Sequence, residues 1–184
     1  MPPGRNPTAA ELAAAHGVTI PDVLAPDLKV LFCGINPGLW SGATGRHFAR
    51  PGNRFWPALH AAGLTPRLFA PAEQDELIEL GLGITNVVAR TTARADELTK
   101  DEYRAGGRAL TARVRAYRPA WLAVLGIGAY RTGFGRPKAV VGEQAETIGD
   151  TRIWVLPNPS GLNAHWTAAT LAAAFGQLRE AAFE

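Results

Sequence analysis

The sequence predicts an α/β protein in which a mostly parallel central sheet lies between two layers of helices, a three-layer α/β/α sandwich. Three observations carry this. Short, nearly continuous apolar runs (Val30-Leu31-Phe32-Cys33, Trp121 to Leu125, Ile153 to Leu156) read as buried strands. Segments with apolar residues at helical spacing stand between them, so that strands and helices alternate. The apolar runs end in loops rich in Gly, Pro and Asn, the place where an open α/β sheet puts a ligand.

The elements follow in order. Residues 1–27 are rich in Pro and Ala and read as a loosely structured N-terminal extension ahead of a single domain over 28–184. Within the extension, Thr8 to Glu11 matches a capping box, and a short helix runs to His16. The first strand covers about Lys29 to Gly34 and opens into a polar loop ending at Asn53. A helix from about Arg54 to Ala62 presents Phe55, Leu59 and Ala62 on one face, and Gly63 stops it. A second helix runs from Glu73 to Leu80. The strand Gly83 to Ala89 carries Asn86 inside an apolar run and leads into the polar loop Arg90 to Asp96. A second capping box, Thr99 to Glu102, starts a helix of about four turns closed by Pro119. After the third strand, Gly126-Ile-Gly128 opens a short helix; it lacks the third Gly and the spacing of a dinucleotide fingerprint. The stretch from Pro137 to Thr151 reads as an edge hairpin or loop. The last strand ends in Pro157-Asn-Pro-Ser-Gly-Leu-Asn163, and Leu171, Phe175, Leu178 and Ala182 mark the core stripe of the final helix.

Composition narrows the chemistry. A chain of 184 residues with 47% hydrophobic and 19% charged residues is an ordinary globular protein. Its net charge of +3 comes almost wholly from Arg, since the lysines are only Lys29, Lys100 and Lys138. That balance fits a polyanionic partner and bidentate phosphate contacts; it equally fits a protein whose Arg and Ala content reflects its genome. The single cysteine, Cys33, excludes an internal disulfide and any multi-cysteine metal site, and it sits in an apolar run as a core thiol. The four histidines have no metal-ligand spacing, so neither a metal nor a cofactor is expected. No apolar run reaches membrane-spanning length, and no basic start precedes a long apolar stretch, so an intracellular (cytoplasmic) protein is expected.

Three strand ends converge on one edge of a parallel sheet: Asn36-Pro-Gly38, Asn86 with its following loop, and Asn158 to Leu162. The loop from Leu39 to Arg54 mixes Trp40, Arg46, His47, Phe48, Arg50 and Arg54. Such a mixture grips phosphates and stacks an exposed base, or is a solvated loop with Phe48 tucked into the core. Leu162, apolar in a polar loop, is either a wedge for a base stack or a staple for the final helix. Asn36 can hold a water or the polar edge of a base, or is simply a turn residue; an amide takes up no proton at neutral pH and cannot serve as general base.

Together these residues resemble a known family. Gly34-Ile-Asn-Pro-Gly-Leu39, Asn53-Arg-Phe-Trp56, Gly83 to Thr92 and Asn158-Pro-Ser-Gly-Leu162 are similar, in order and spacing, to the motifs of the mismatch-specific uracil/thymine-DNA glycosylases of the uracil-DNA glycosylase superfamily (the Mug type). The resemblance covers the chain from about Ala25 onward. It implies a uracil-DNA glycosylase-like fold, and removal of uracil, thymine or ethenocytosine mispaired with guanine in double-stranded DNA by base flipping. It implies that Asn36 positions the attacking water, that Gly34, Ile35, Pro37, Gly38, Phe48 and Asn86 form the base pocket, and that Phe48 takes the place of the base-stacking aromatic. The segment Asn158, Pro159, Ser160, Gly161, Leu162 and Asn163 would enter the duplex and read the opposite base. Arg46, Arg50, Arg54 and Arg90 are the candidates for DNA phosphates. Two positions depart from the family: some members have Arg where this chain has Ala164, and the position of Asn86 varies between Lys and Asn.

In such a reaction the base leaves as an anion stabilised across its ring, so donors around it help. Asp96, with Glu97 as the second choice, on the loop after the second strand, is the candidate for an assisting carboxylate; a solvated loop or cap charge is the other reading. No Lys sits in a motif, so an intact abasic site is the expected product, and a monomer the expected state. Two rivals remain: a mismatch-DNA binder of the same fold that does no chemistry, and an unrelated α/β nucleotide-binding protein, against which the missing phosphate-loop motif argues.

Overall fold

A computed structural model of the chain describes residues 4–184. Five strands, β1 (Val30–Gly34), β2 (Leu82–Asn86), β3 (Trp121–Leu125), β4 (Gly142–Ile148) and β5 (Thr151–Leu156), form one sheet in the order β2-β1-β3-β5-β4. All neighbours pair in parallel except β4, which runs antiparallel to β5 at the edge. Among the described residues the α-helices are α1 (Ala9–Ala14), α2 (Leu39–Thr44), α3 (Phe55–Ala61), α4 (Lys100–Tyr117), α5 (Ile127–Gly133) and α6 (Ala168–Phe183).

The apolar runs form central strands because both their faces are covered. Alternate residues go to opposite sides. Val30, Phe32, Ile84 and Ala123 join Phe55 and Leu59 of α3 and Leu171, Phe175 and Leu178 of α6 in one core. Leu31, Cys33, Leu122, Val124 and Val155 join Leu110 and Val114 of α4 and Tyr130 of α5 in the other. Leu171, Phe175 and Leu178 of the α6 stripe are fully buried, and each such side chain contributes about 2 kcal/mol relative to exposure. Burial also pushes the Cys33 thiol pKa far up, which makes it an inert core group.

Three elements differ from the sequence expectation. The loop after β1 contains α2, a helix of six residues capped by Gly38 and Gly45. The expected helix at 73–80 is a 3₁₀ helix over Pro71–Leu80. The second strand ends at Asn86, which places this residue at the strand terminus. The stretch 137–151 forms the edge hairpin that is one of its two readings: β4 pairs antiparallel with β5, with a register shift between Glu143 and Thr147.

Within the segment expected as a loose extension, His16, Gly17, Val18, Pro21, Val23 and Asp27 are hydrogen-bonded to the domain; its first three residues lie outside the described residues. Ala15 and Val23 are buried. Val23 N donates to Ile84 O at 2.9 Å and Ile84 N to Val23 O at 2.8 Å, an antiparallel bridge along the outer edge of β2. Apolar side chains and paired backbone, rather than the Pro and Ala content, decide the outcome.

Candidate active site

Parallel register brings two of the sequence-derived residues side by side at the carboxyl ends of the strands. Gly34 of β1 is the ladder partner of Asn86 of β2. The chains continue together beyond the strands: Val87 N donates to Gly34 O, Val88 N to Ile35 O, and Thr92 N to Pro37 O at 3.1 Å. Beside them, the segment after β5 completes a cavity of about 390 Å³. Gly34, Ile35, Asn36, Pro37, Gly38, Phe48, Asn86, Asn158, Pro159 and Ser160 all line it.

Asn36 has an assigned orientation. Its Nδ2 donates to Arg90 O at 2.9 Å and to Thr92 Oγ1 at 2.8 Å. The Thr92 hydroxyl in turn donates to Arg94 O at 2.8 Å, so it receives from Asn36 and cannot donate to it. Both amide hydrogens are therefore engaged, and Oδ1 is left as the acceptor. No Asp or Glu lines the cavity. Asp96 is largely exposed and pairs with Arg94 at 3.0 Å; the structure brings it to Arg94 rather than to Asn36.

The cavity floor is aromatic. Phe48 lies on Phe55 with ring centroids 4.1 Å apart at 28°. Its backbone has φ +52°, a left-handed conformation that costs a non-glycine residue about 1 kcal/mol or more. His47 anchors it: His47 N donates to Gln74 Oε1 at 2.8 Å and Trp56 Nε1 donates to His47 O at 3.1 Å. A Cβ at Gly34 would come within 2.7 Å of Asn86 Oδ1 and 3.2 Å of the Phe48 ring, so only Gly leaves room for both.

His47 itself is buried. Its Nε2 lies 2.8 Å from Pro21 O and must carry the hydrogen, which leaves Nδ1 to accept from Asn86 Nδ2 at 3.5 Å. Burial is the largest cause that lowers the His47 pKa below its ordinary 6.5. The folded chain thus holds His47 neutral while the unfolded chain protonates it below about pH 6.5. The stability this contributes is complete above that pH and is lost as pH falls. The melting temperature is expected to drop between pH 7 and about 5.5, and His47→Gln to flatten that slope in pH-dependent thermal unfolding.

The loop after β5 is braced from within. Asn158 Oδ1 accepts from Ser160 N at 2.9 Å, and Asn163 Nδ2 donates to Asn158 O at 3.1 Å. Gly161 packs against the 50–53 loop, where an added Cβ would stand 2.6 Å from Gly52 O. Leu162 at the tip is 76% exposed. It makes no staple to the final helix.

The four arginines divide. Arg50 is exposed on the cavity rim, and Arg46 is half-buried; neither forms an ion pair among the described residues. Arg54 and Arg90, the other two phosphate candidates, are hydrogen-bonded within the protein. Arg54 Nη2 donates to Ser160 O at 2.8 Å and Asn163 O at 2.9 Å, and Nη1 to Trp166 O. Arg90 Nε meets Glu102 Oε1 at 2.5 Å and holds that carboxyl down at about 2. Charge type alone points to an anion; a carboxylate or a row of carbonyls nearby captures the guanidinium first.

Sequence reasoning missed Leu12, Ser41, Thr92 and Arg94, which also line the cavity. Only Thr92 carried a signal, its place in the Gly83 to Thr92 motif. Among the described residues, no group of His, Cys, Asp and Glu could hold a metal ion, and no helix is long and apolar enough to cross a membrane.

A family model described as the uracil DNA glycosylase superfamily matches residues 21–181.

Proposed function

The chain belongs to the uracil DNA glycosylase superfamily and is a DNA glycosylase, a hydrolase of base–sugar bonds; from that premise we propose that it is a monofunctional, mismatch-specific enzyme that releases uracil paired with guanine. Thymine and ethenocytosine opposite guanine fall under the same proposal. The observation that carries it is the set amide of Asn36, with both hydrogens bonded to the 90–92 turn and its oxygen free in a cavity without carboxylates.

In this reading the substrate base is flipped into the cavity and stacks on Phe48, with Asn86 at its polar edge. Asn36 Oδ1 accepts a hydrogen bond from a water and aims its oxygen at C1′. The C1′–N1 electrons leave with the base as a ring-delocalised anion, which is then protonated by solvent. The C1′–O bond forms and the proton of the attacking water is lost to solvent, because no neighbouring carboxylate takes it. A water that is oriented but weakly activated makes chemistry slow, and positioning supplies the catalysis. Flipping costs a few kcal/mol and least at a mispair, so G:U is the favoured substrate. No lysine lines the cavity, which supports an intact abasic site as product.

Leu162 is the wedge of this proposal, filling the gap left by the flipped nucleotide, with the backbone near Gly161 facing the opposite guanine. Leu162→Ala is expected to leave the melting temperature unchanged, because the side chain is exposed, and to slow release from the G:U duplex about tenfold, since unstacking is worth a few kcal/mol. Release from single strands is expected to stay the same. Equal losses on both substrates would remove the wedge role.

The deciding assay is single-turnover release from duplexes with uracil opposite G or opposite A, and from the single strand, with strand breaks read before and after alkali. Alkali-dependent cleavage favouring G:U supports the proposal. Equal cutting of all three keeps the glycosylase and discards mismatch selectivity. Tight duplex binding with no base release would place the protein with binders that do no chemistry.

A further inference from the structure

Leu12 of α1 lies outside every sequence motif, yet it lines the same cavity as Asn36, Ser41, Phe48 and Thr92. It is half-buried there. Three sets of contacts hold it in place. The start of α1 is fixed by a reciprocal cap, with Glu11 N donating to Thr8 Oγ1 at 3.2 Å and Thr8 N to Glu11 Oε2 at 2.7 Å. Its end is packed onto α2: a Cβ at Gly42 would stand 3.2 Å from Ala15 Cβ and 2.8 Å from Thr91 Oγ1. Just beyond, Gly17 N donates to Thr91 O at 2.8 Å, Thr91 N donates to Val18 O at 3.0 Å, and His16 Nε2 meets Glu97 Oε1 at 3.1 Å. The segment that carries these anchors, 90–97, is the one whose Arg90 carbonyl and Thr92 hydroxyl hold Asn36.

We propose that α1 is a wall of the base pocket and that Leu12 is a specificity-determining residue, limiting the size of the base the cavity admits. The proposal rests on the base-excision reading above. An aliphatic side chain offers no hydrogen bond, so it discriminates by volume alone. The anchors at Thr91 and Glu97 keep that volume fixed relative to Asn36, so a larger base cannot be accommodated by moving α1 without moving the turn that orients the amide. Ser41 and Phe48 belong to the same cavity but are tied to α2 and to the Phe55 stack; Leu12 is the wall residue contributed by the N-terminal segment.

The test compares wild type, Leu12→Ala and Leu12→Phe on two duplexes, one with uracil and one with 5-propynyluracil opposite G. The quantity read is the ratio of the single-turnover rates, so electronic effects of the substituent cancel between variants. Leu12→Ala is expected to raise the propynyl-to-uracil ratio about tenfold, the scale of a hydrophobic pocket gaining a few carbons of space, and Leu12→Phe to lower it. A purely structural Leu12 would slow both substrates by one factor, and a ratio unchanged within about twofold in both variants overturns the wall. Affinities for the same duplexes with a 2′-fluoro sugar, which resists bond cleavage, are measured alongside. If wild type releases no base but the affinity ratio follows residue 12 as above, the base-excision reading fails and the wall stands. If base is released and neither ratio moves, the wall fails.

Discussion

Replacing Asn36 by Ala is expected to lower the single-turnover rate of base release by about 10²–10³-fold, the loss seen when one positioned catalytic dipole is removed. The size follows from the absence of a carboxylate in the cavity to take over. With Oδ1 gone, the water has no acceptor to set its orientation, and Arg90 O and Thr92 Oγ1 lose their donor. Duplex affinity is expected to change little, because Asn36 stands apart from the exposed loop tip at Leu162. The companion Thr92→Val keeps the side-chain shape but frees one amide hydrogen of Asn36. A misaimed water is then expected to slow release roughly tenfold to a hundredfold with the melting temperature nearly unchanged. If Asn36→Ala leaves the rate within a few-fold of wild type, the water is held elsewhere and the proposed mechanism is wrong.

Arg54→Ala is expected to have the largest effect on stability. The guanidinium ties three carbonyls, those of Ser160, Asn163 and Trp166, and the Arg54 backbone N–H donates to Pro159 O at 2.9 Å. Leaving those carbonyls without a charged donor costs about 1 kcal/mol each, roughly 3 kcal/mol together. For a chain of this size that corresponds to a fall in melting temperature of roughly 6–12 °C. Arg54→Lys is expected to restore only part of it, since a single ammonium cannot span the three acceptors as a planar fork does. The loop bearing Leu162 loses its support, so duplex affinity falls as well. Thermal unfolding and duplex titration of the same variants check both statements; an unchanged melting temperature would show that the loop carries its own order.

The layered architecture was legible because β1, β3 and β5 are apolar on both faces, a pattern that only a covered parallel sheet satisfies. The helix α2 was not, because Leu-Trp-Ser-Gly-Ala-Thr between two glycines has weak helix propensity and forms against Ala15 of a segment 24 residues earlier at its start. The β4 sequence, Gly-Glu-Gln-Ala-Glu-Thr-Ile, is polar and takes its strand conformation from β5 alone. At the site, strand ends announced Asn36 and Asn86 as candidates, and Phe48 came from the family resemblance. What they could not announce was partnership: that the Asn36 amide is set by Thr92, that Arg90 is captured by Glu102, and that Arg54 meets carbonyls more than a hundred residues away. Leu12 had no local signal, since an isolated Leu in an Ala-rich helix looks like any surface residue until its neighbours are in place.

Both outer strands of the sheet carry features that discourage further pairing. The free side of β2 is occupied at Ile84 by Val23, and β4 is interrupted between Glu143 and Thr147 and carries acidic side chains. Uncovered edges are where copies of a protein zip together and aggregate. A DNA-bound protein meets its own copies at high local density along the polymer, which raises that hazard. With one margin bridged at Ile84 by its own N-terminal segment and the other irregular and charged, the sheet is a poor template for cross-strand growth between neighbouring copies.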